Sequence, residues 1–226
     1  VTEYLQTGNG SAEEVLPQYQ KEAYWNTFYT EGQHKKYEWY NITLEDILED
    51  ITTYVPVGRQ LLHAGCGTST WAAELWHAGW KHAVHCDVSA EAISIMRERY
   101  TSSTPGLAEQ FRTCDLTNLQ SDDVFDDILE KGTLDALLAG FGNEDYRSSL
   151  AGLALRGMLL ALRPGGALVS VSFGSPDRRL KFFSAVAPDW SSTYVNLTTS
   201  TQHPYYMYVL QRQREDTAGT SSKAEL

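Results

Sequence analysis

The chain has 226 residues, and 42% of them are hydrophobic, which is enough apolar sequence for one sizeable core. Its formal net charge of −11 would repel a nucleic acid, and it is either the acidity of an ordinary soluble protein or a feature that attracts a basic protein substrate. The longest apolar stretch, residues 150–173, is interrupted by Arg156, Arg163 and Pro164, which excludes a membrane span.

Aromatic side chains are concentrated near the start of the chain, in two groups at positions 24–29 and 37–40. Trp25 and Tyr29 are four residues apart, so on a helix they would share one face. Such rings either cover a sheet or close over a bound cation, which an aromatic face attracts by roughly 0.5–2 kcal/mol.

A strand, turn, helix and second strand come next, with a carboxylate at the end. The parts are strand 61–64, the glycine turn 65–67, helix 68–78, strand 82–86 and Asp87. Gly65 and Gly67 let backbone N–H groups approach a ligand closely, and Asp87 stands where a carboxylate binds both hydroxyls of a ribose. The pattern predicts a nucleoside site; the alternative is a structural turn with a surface aspartate.

The residues after the glycines narrow the choice of ligand. Dinucleotide sites usually carry a third glycine three residues on, beneath a pyrophosphate, and here that position is Thr70. No lysine comes after it as in a P-loop. A ligand with ribose and adenine but no phosphate fits better, and S-adenosylmethionine (SAM) is the commonest such ligand.

The rest of the chain alternates strands and helices. We predict a helix from the Ser89 cap to Tyr100, a loop at 101–106, strands 110–113 and 124–129, helix 147–162, strand 167–173, helix 177–186 and a hairpin of strands 194–199 and 205–210. This succession predicts an α/β fold with a doubly wound sheet, a terminal antiparallel hairpin and a ligand across the strand carboxyl ends. We expect one structural domain, divided into an aromatic-rich cap (1–54), a core (55–212) and a mobile tail (213–226).

Residues 130–132 (Glu-Lys-Gly) stand at the end of a buried strand. Charge in that position is costly unless it faces a site, so we predict a functional role for them. By contrast, His77, His82 and His85 do not match a metal-ligand spacing, and we predict no metal site.

The cysteines bear on the cellular compartment. Cys66, Cys86 and Cys114 are odd in number and lie beside predicted strand ends, which favours free thiols in a reducing compartment. The first residues are acidic and polar, unlike a signal or transit peptide. We therefore expect a cytoplasmic protein.

Several of these motifs resemble one known family, the methyltransferase-like lysine methyltransferases, which act on translation elongation factor 1-alpha or, in a mitochondrial relative, on citrate synthase. The matching stretches are 24–29, 37–40, the glycine turn 65–67 and above all 129–137, which reads LEKGTLDAL. The resemblance covers about residues 20–210 and implies a seven-strand, Rossmann-like class I fold that binds SAM. It departs at Thr68, where the family's turn usually has Asn.

The resemblance also implies roles for individual residues. It places Trp25, Tyr29 and Trp39 around the cofactor, Gly65 by the methionine moiety or ribose, Asp87 and Val88 at the ribose and adenine, Asp115 and Leu116 at the adenine edge, and Glu130 or Lys131 at the methionyl end. We add Gly67 to the cofactor-binding residues because its N–H can approach the ligand in the same turn.

The reaction itself can be argued from chemistry. Methyl transfer from a sulfonium is an in-line displacement that leaves S-adenosylhomocysteine, so catalysis is mainly alignment. An attacking lysine must be neutral, and burial beside a sulfonium lowers its pKa, so a dedicated base is optional. Glu130 is the predicted catalytic residue, for orienting the amine; its alternative roles are to hold the cofactor or to stabilise Lys131.

The sequence therefore predicts a SAM-dependent protein-lysine N-methyltransferase, with a protein substrate of the elongation factor 1-alpha type and no nucleic-acid or membrane partner. Two alternatives stay open, a small-molecule methyltransferase and a SAM-binding module without catalysis.

Overall fold

The structure is a computed structural model that describes residues 16–31, 38–40, 42–119, 124–139, 145–197 and 204–212. Tyr37, Thr199 and the predicted tail at 213–226 lie outside these ranges. The strands are β1 (Leu61–Ala64), β2 (Val84–Asp87), β3 (Phe111–Thr113), β4 (Asp127–Lys131), β5 (Ala167–Ser172), β6 (Trp190–Leu197) and β7 (Tyr205–Arg212). The α-helices are α1 (Glu22–Thr30), α2 (Leu48–Tyr54), α3 (Trp71–Ala78), α4 (Ala90–Thr101), α5 (Pro105–Ala108), α6 (Thr133–Leu138), α7 (Leu150–Leu160) and α8 (Pro176–Val186).

The strands form one sheet in the order β3-β2-β1-β4-β5-β7-β6. The pairs from β3 to β5 are parallel, whereas β7 runs antiparallel to both β5 and β6. Ala64 pairs with Cys86 on one side and with Glu130 on the other, so the carboxyl ends of the three central strands lie side by side. The predicted seven-strand, doubly wound sheet with a terminal antiparallel hairpin is confirmed.

Local signals set several of the helix ends. The Ser89 hydroxyl accepts a hydrogen bond from the Ala92 N–H at 3.2 Å and so caps α4. Ser149 caps α7 in the same way through the Gly152 N–H, at 3.1 Å. Gly79 ends α3 with a left-handed φ of 111°, a conformation that glycine adopts readily.

Several boundaries differ from the predictions, and the reason is local in two cases. Helix α3 begins at Trp71 rather than Thr68, because the residues between them complete the glycine turn. The loop predicted at 101–106 contains the start of α5, which Pro105 opens because its fixed φ suits the first helical position.

Much of the predicted cap packs into the core. Its fully buried side chains are Ile42, Leu44, Ile47 and Ile51. They cluster with β-sheet residues such as Val169 of β5, so this stretch completes one face of the sheet. The division of the chain at residue 54 stays a prediction.

The cysteine prediction is wrong for two of the three residues. Cys86 and Cys114 form a disulfide, and Cys66 is a buried free thiol. Because β2 and β3 are adjacent, the Cα atoms of the two cysteines lie 5.7 Å apart, which is an ordinary disulfide spacing. The number of cysteines in the sequence does not reveal which of them are neighbours in the fold, so this disulfide was not predicted.

Candidate functional site

A cavity of about 940 Å³ lies across the carboxyl ends of the central strands. All ten residues that were predicted to bind the cofactor line it. They are Trp25, Tyr29, Trp39, Gly65, Gly67, Asp87, Val88, Asp115, Leu116 and Lys131. The structure therefore brings the predicted set together, while the contact that each would make with a ligand stays a prediction.

The glycine turn forms the floor of this cavity. Gly65 and Gly67 have φ values of 64° and 49°, in the left-handed region. A Cβ on Gly67 would lie 2.5 Å from the hydroxyl of Tyr29, so both the backbone and the available space require glycine there. With glycine at both positions, the backbone of the turn can approach a ligand more closely than it could with a residue that carries a Cβ.

Asp87 is the acceptor at the end of β2. Its carboxylate is only 8% exposed and accepts hydrogen bonds from the N–H groups of Gly67 at 2.8 Å and Ser89 at 2.9 Å. Burial raises the pKa of this carboxyl, and the backbone donors oppose that rise. Each oxygen has further lone-pair capacity, which suits a pair of ribose hydroxyls.

The amino terminus of α3 is occupied by the protein's own anion. The Glu38 carboxylate accepts hydrogen bonds from the N–H of Thr70 at 3.0 Å and the hydroxyl of Ser69 at 2.8 Å. In dinucleotide sites this position receives a pyrophosphate. The geometry therefore fits an adenosine ligand without phosphate. Sequence analysis missed Glu38, although it lies inside the aromatic group at 37–40.

Lys131, the last residue of β4, contacts both Glu38 and the residue after it. Its ammonium pairs with Glu38, donates to the Trp39 carbonyl at 3.0 Å and lies 5.0 Å above the ring of Trp71. Burial lowers the pKa of Lys131, and the Glu38 carboxylate opposes that change. The lysine thus holds Glu38 and Trp39 beside the glycine turn.

The predicted catalytic role of Glu130 is not supported by its position. Strand β4 continues through Lys131, so the side chains of Glu130 and Lys131 point to opposite faces of the sheet, and Glu130 is not among the residues that line the cavity. Its carboxylate is fully buried and accepts hydrogen bonds from the Ser170 hydroxyl and the Thr133 and Leu134 N–H groups. Burial raises the pKa of this carboxyl to about 7. Glu130 therefore caps α6, and its catalytic role stays a prediction.

The first aromatic group covers one side of the cavity. The indole N–H of Trp25 donates to the Tyr19 carbonyl at 2.9 Å, which fixes the ring. Trp25 stacks on Tyr29 with a centroid distance of 6.1 Å and meets Trp39 edge to face. As predicted, Trp25 and Tyr29 share one face of a helix.

The segment that carries these rings is attached at both ends. Near its start, the Gln20 amide donates to the Leu137 carbonyl at 3.1 Å, at the end of α6. Further along, the Asn26 side-chain oxygen accepts from the Ser89 hydroxyl at 2.8 Å, at the start of α4. Residues 16–31 therefore span the cavity from one flanking helix to another.

Metal ligation and membrane crossing can be judged for the part of the chain that the structure describes. In it, no group of three His, Cys, Asp or Glu side chains is placed to hold a metal ion. None of its helices combines the length and apolar character needed to cross a bilayer.

Comparison with known proteins agrees with this geometry. Residues 61–166 match a family model for a methyltransferase domain. The eEF1A lysine and N-terminal methyltransferase of Mus musculus is 34% identical over 129 residues. The matched stretch makes up 55% of this chain but only 18% of that protein. EEF1A lysine methyltransferase 4 of Mus musculus is 29% identical over 87% of this chain and 77% of its own length.

A solved structure shows the same fold. The N-methyltransferase NodS from Bradyrhizobium japonicum WM9, in complex with S-adenosyl-L-homocysteine, has a TM-score of 0.56 at 16% identity, over 84% of this chain and 100% of that chain. Residues 61–166 thus match a methyltransferase domain, and the sheet order and the glycine turn with Asp87 fit the class I SAM-dependent methyltransferases. Within the class, its curated relatives include eEF1A lysine methyltransferases.

Proposed function

We propose that this chain is a SAM-dependent protein-lysine N-methyltransferase that acts on an elongation factor of the 1-alpha type. The observation that carries the proposal is one cavity that reaches from Asp87 and the glycine turn to an aromatic-walled part at Tyr40 and Phe173, beside a helix start that the Glu38 carboxylate already occupies. The named activity of two relatives supports the substrate class. A cytoplasmic location would follow from such a substrate.

In this proposal the cofactor lies between the glycine turn and the first aromatic group. Asp87 accepts the ribose hydroxyls, and Val88 and Leu116 form the apolar borders of the adenine pocket. Asp115 flanks it, with its carboxylate fixed by the Thr117 N–H at 2.8 Å. When bound, SAM supplies a methyl group activated on a sulfonium.

The surroundings favour an acceptor amine that is neutral. The cavity wall carries two buried cations, Lys131 and Arg179, and a positive charge disfavours a second one beside it. Removal from water acts in the same direction. The protein can therefore bind the reactive form of lysine without a dedicated base, which agrees with the position of Glu130 outside the cavity.

The proposal is tested by incubating the chain with methyl-labelled SAM and purified elongation factor 1-alpha, followed by mass spectrometry of the factor. We expect label on a lysine. Label that appears only in small metabolites of a cell extract would favour a small-molecule methyltransferase. Tight SAM binding without any labelled product would favour the non-catalytic module.

The cofactor site is tested separately by calorimetry. Asp87→Ala should reduce SAM affinity by a factor of about 10 or more, because the two ribose hydroxyls lose their acceptor. Asp189→Ala, which removes an exposed carboxylate outside the cavity, is the control and should bind as the wild type does. Equal affinities of the two variants would refute the ribose assignment.

A further inference from the structure

The second part of the cavity is organised around a buried carboxylate, Asp135, in the first turn of α6. It accepts hydrogen bonds from the hydroxyls of Tyr40 at 2.5 Å and Ser172 at 2.6 Å and from the Phe173 N–H at 3.2 Å, and it pairs with Arg179. A carboxylate offers about four acceptor positions, and all of them are used here. Asp135 is therefore engaged in fixing its neighbours and has no lone pair left for a substrate.

Tyr40 is held in an unusual backbone conformation. Its φ is 74°, and it is the only non-glycine residue among those described with a positive φ. Bulky residues adopt this region rarely, and such strain persists where the surrounding contacts enforce it. The contacts here are the hydrogen bond to Asp135 and the ring of Tyr205, whose centroid is 5.1 Å away.

The enforced conformation brings the Tyr40 hydroxyl to the reactive edge of the sheet. A Cβ on Gly132 would lie only 2.8 Å from this hydroxyl, so the phenol oxygen sits directly on the backbone that follows β4. Strand β4 pairs with β1, which leads into the glycine turn. The phenol thus lies in the same cavity as Asp87, on the wall that Lys131 and Gly132 also form.

The chemistry of this phenol is set by its partner. Because its proton is donated to Asp135, the oxygen keeps acceptor capacity. Burial and the negative charge of Asp135 raise the pKa of Tyr40 well above its ordinary value, so the phenol stays protonated. The group is a fixed, uncharged acceptor.

An apolar wall stands beside this acceptor. The ring of Phe173 meets Tyr40 edge to face at 5.8 Å and is 45% exposed, an unusual degree for a large apolar side chain that lines a cavity. Such a wall matches the four methylenes of a lysine side chain, and the phenol oxygen matches its terminal nitrogen.

We propose that Tyr40 binds the acceptor amine: its phenol oxygen accepts an N–H hydrogen bond from the neutral amine of the substrate lysine and thereby orients the nitrogen lone pair. Asp135 and Arg179 are positioning residues that act through Tyr40. In the transfer, a nitrogen–carbon bond forms as the sulfur–carbon bond breaks, the electron pair stays on sulfur, and Tyr40 neither gains nor loses a proton. This inference rests on the proposed lysine methyltransferase activity.

The test compares Tyr40→Phe with Tyr205→Phe. Both tyrosines are 8% exposed, and each variant keeps the ring and removes one hydroxyl, but Tyr205 does not line the cavity. The first readout is binding of n-butylamine, as a mimic of the lysine side chain, in the presence of S-adenosylhomocysteine at alkaline pH. We expect Tyr40→Phe to weaken amine binding about five- to tenfold and Tyr205→Phe to leave it within about twofold.

The second readout is methylation of elongation factor 1-alpha. Tyr40→Phe should lower kcat about tenfold, with S-adenosylhomocysteine affinity unchanged, which also shows that the variant is folded. Equal effects of the two tyrosine variants on amine binding, or no amine binding by the wild type, would overturn the inference. If the wild type labels no factor while the amine titration separates Tyr40 from Tyr205, the proposed substrate is wrong and the amine site stands.

A double-mutant cycle tests the positioning role. Asp135→Asn should weaken amine binding in the wild-type background and have little further effect in the Tyr40→Phe background. Additive losses would show that Asp135 does not act through Tyr40. If Tyr40→Phe alone does not fold, Asp135→Asn decides the matter: unaltered amine binding in that variant contradicts the inference.

Discussion

The backbone N–H of Gly67 and the carboxylate of Asp87 are joined by a hydrogen bond of 2.8 Å. The two residues are 20 positions apart in sequence, and the bond joins the glycine turn to the proposed ribose acceptor. Access to the turn is limited on its outer side by the Tyr29 hydroxyl, which leaves no room for a Cβ on Gly67.

We expect Gly67→Ala to weaken SAM binding about tenfold or more and to destabilise the fold by about 1–3 kcal/mol, because the left-handed backbone and the contact with Tyr29 both oppose a Cβ. Calorimetry and chemical denaturation provide the measurements. Gly165→Ala is the matched control, since Gly165 has a φ of 83° but no atom within 4 Å of the added Cβ. Tyr29→Phe should partly rescue Gly67→Ala; a rescue of Gly165→Ala as well would contradict the steric explanation.

Removal of the Glu38 charge should destabilise the protein. Glu38→Gln leaves the buried ammonium of Lys131 without its ionic partner and weakens the cap on α3, so we expect a loss of about 1–3 kcal/mol in the free energy of unfolding. Glu49→Gln, on the exposed side of α2, is the control and should change stability by less than about 0.5 kcal/mol. Equal denaturation midpoints for the two variants would show that the Glu38 charge does not stabilise the protein.

Glu130 should give the stability of the protein a recognisable pH dependence. Its pKa is raised from 4.5 to about 7 on folding, so the native state holds an extra proton between these values. The protonated carboxyl therefore stabilises the native state fully below pH 4.5, the pKa of the unfolded chain. This contribution to the free energy of unfolding is lost as pH rises through about 7, the pKa in the native state, by at most about 1.4 kcal/mol per pH unit.

Glu130→Gln removes this titration, so its unfolding free energy should fall less steeply than that of the wild type across the same window. Denaturant titrations at several pH values measure the difference. Glu109→Gln, an exposed substitution, is expected to run parallel to the wild type. If the curve of Glu130→Gln also runs parallel, the carboxyl titrates in the native state as it does in the unfolded one.

A buried histidine pair should oppose this trend in acid. His63 and His85 approach through their Nδ1 atoms at 3.1 Å, and burial lowers the pKa of both, that of His85 to about 3. The stability that depends on neutral rings is present above the unfolded pKa of 6.5 and is lost as pH falls toward the folded values. NMR should show that the His85 imidazole signals stay constant from neutral pH down to pH ~5. A midpoint near 6.5 in the folded protein would refute this.

Much of the fold and of the cofactor site could be predicted because the signals are local. The run Leu61–Ala64 and the glycines after it indicate a buried strand and turn, and Ser89 indicates the next helix, from contacts within a few residues. Asp87 could be predicted to face the cavity because it stands at the carboxyl end of a strand. These features depend little on distant parts of the chain.

The errors come from contacts that link distant residues. The capping contacts of Glu130 were not predicted, because β4 continues two residues further than expected, to Lys131. The Cys86–Cys114 disulfide depends on which strands are neighbours. The Tyr40–Asp135 contact spans 95 positions, and no local pattern marks either residue as its partner.

The Glu38 carboxylate at the start of α3 also has a consequence for selectivity among adenosine compounds in the cell. ATP and the nicotinamide dinucleotides carry phosphates, and a phosphate directed to that helix end would meet a fixed negative charge in place of free N–H donors. Repulsion would thereby disfavour such phosphates at the proposed adenosine site, and this selectivity does not require the protein to bind its own ligand more tightly.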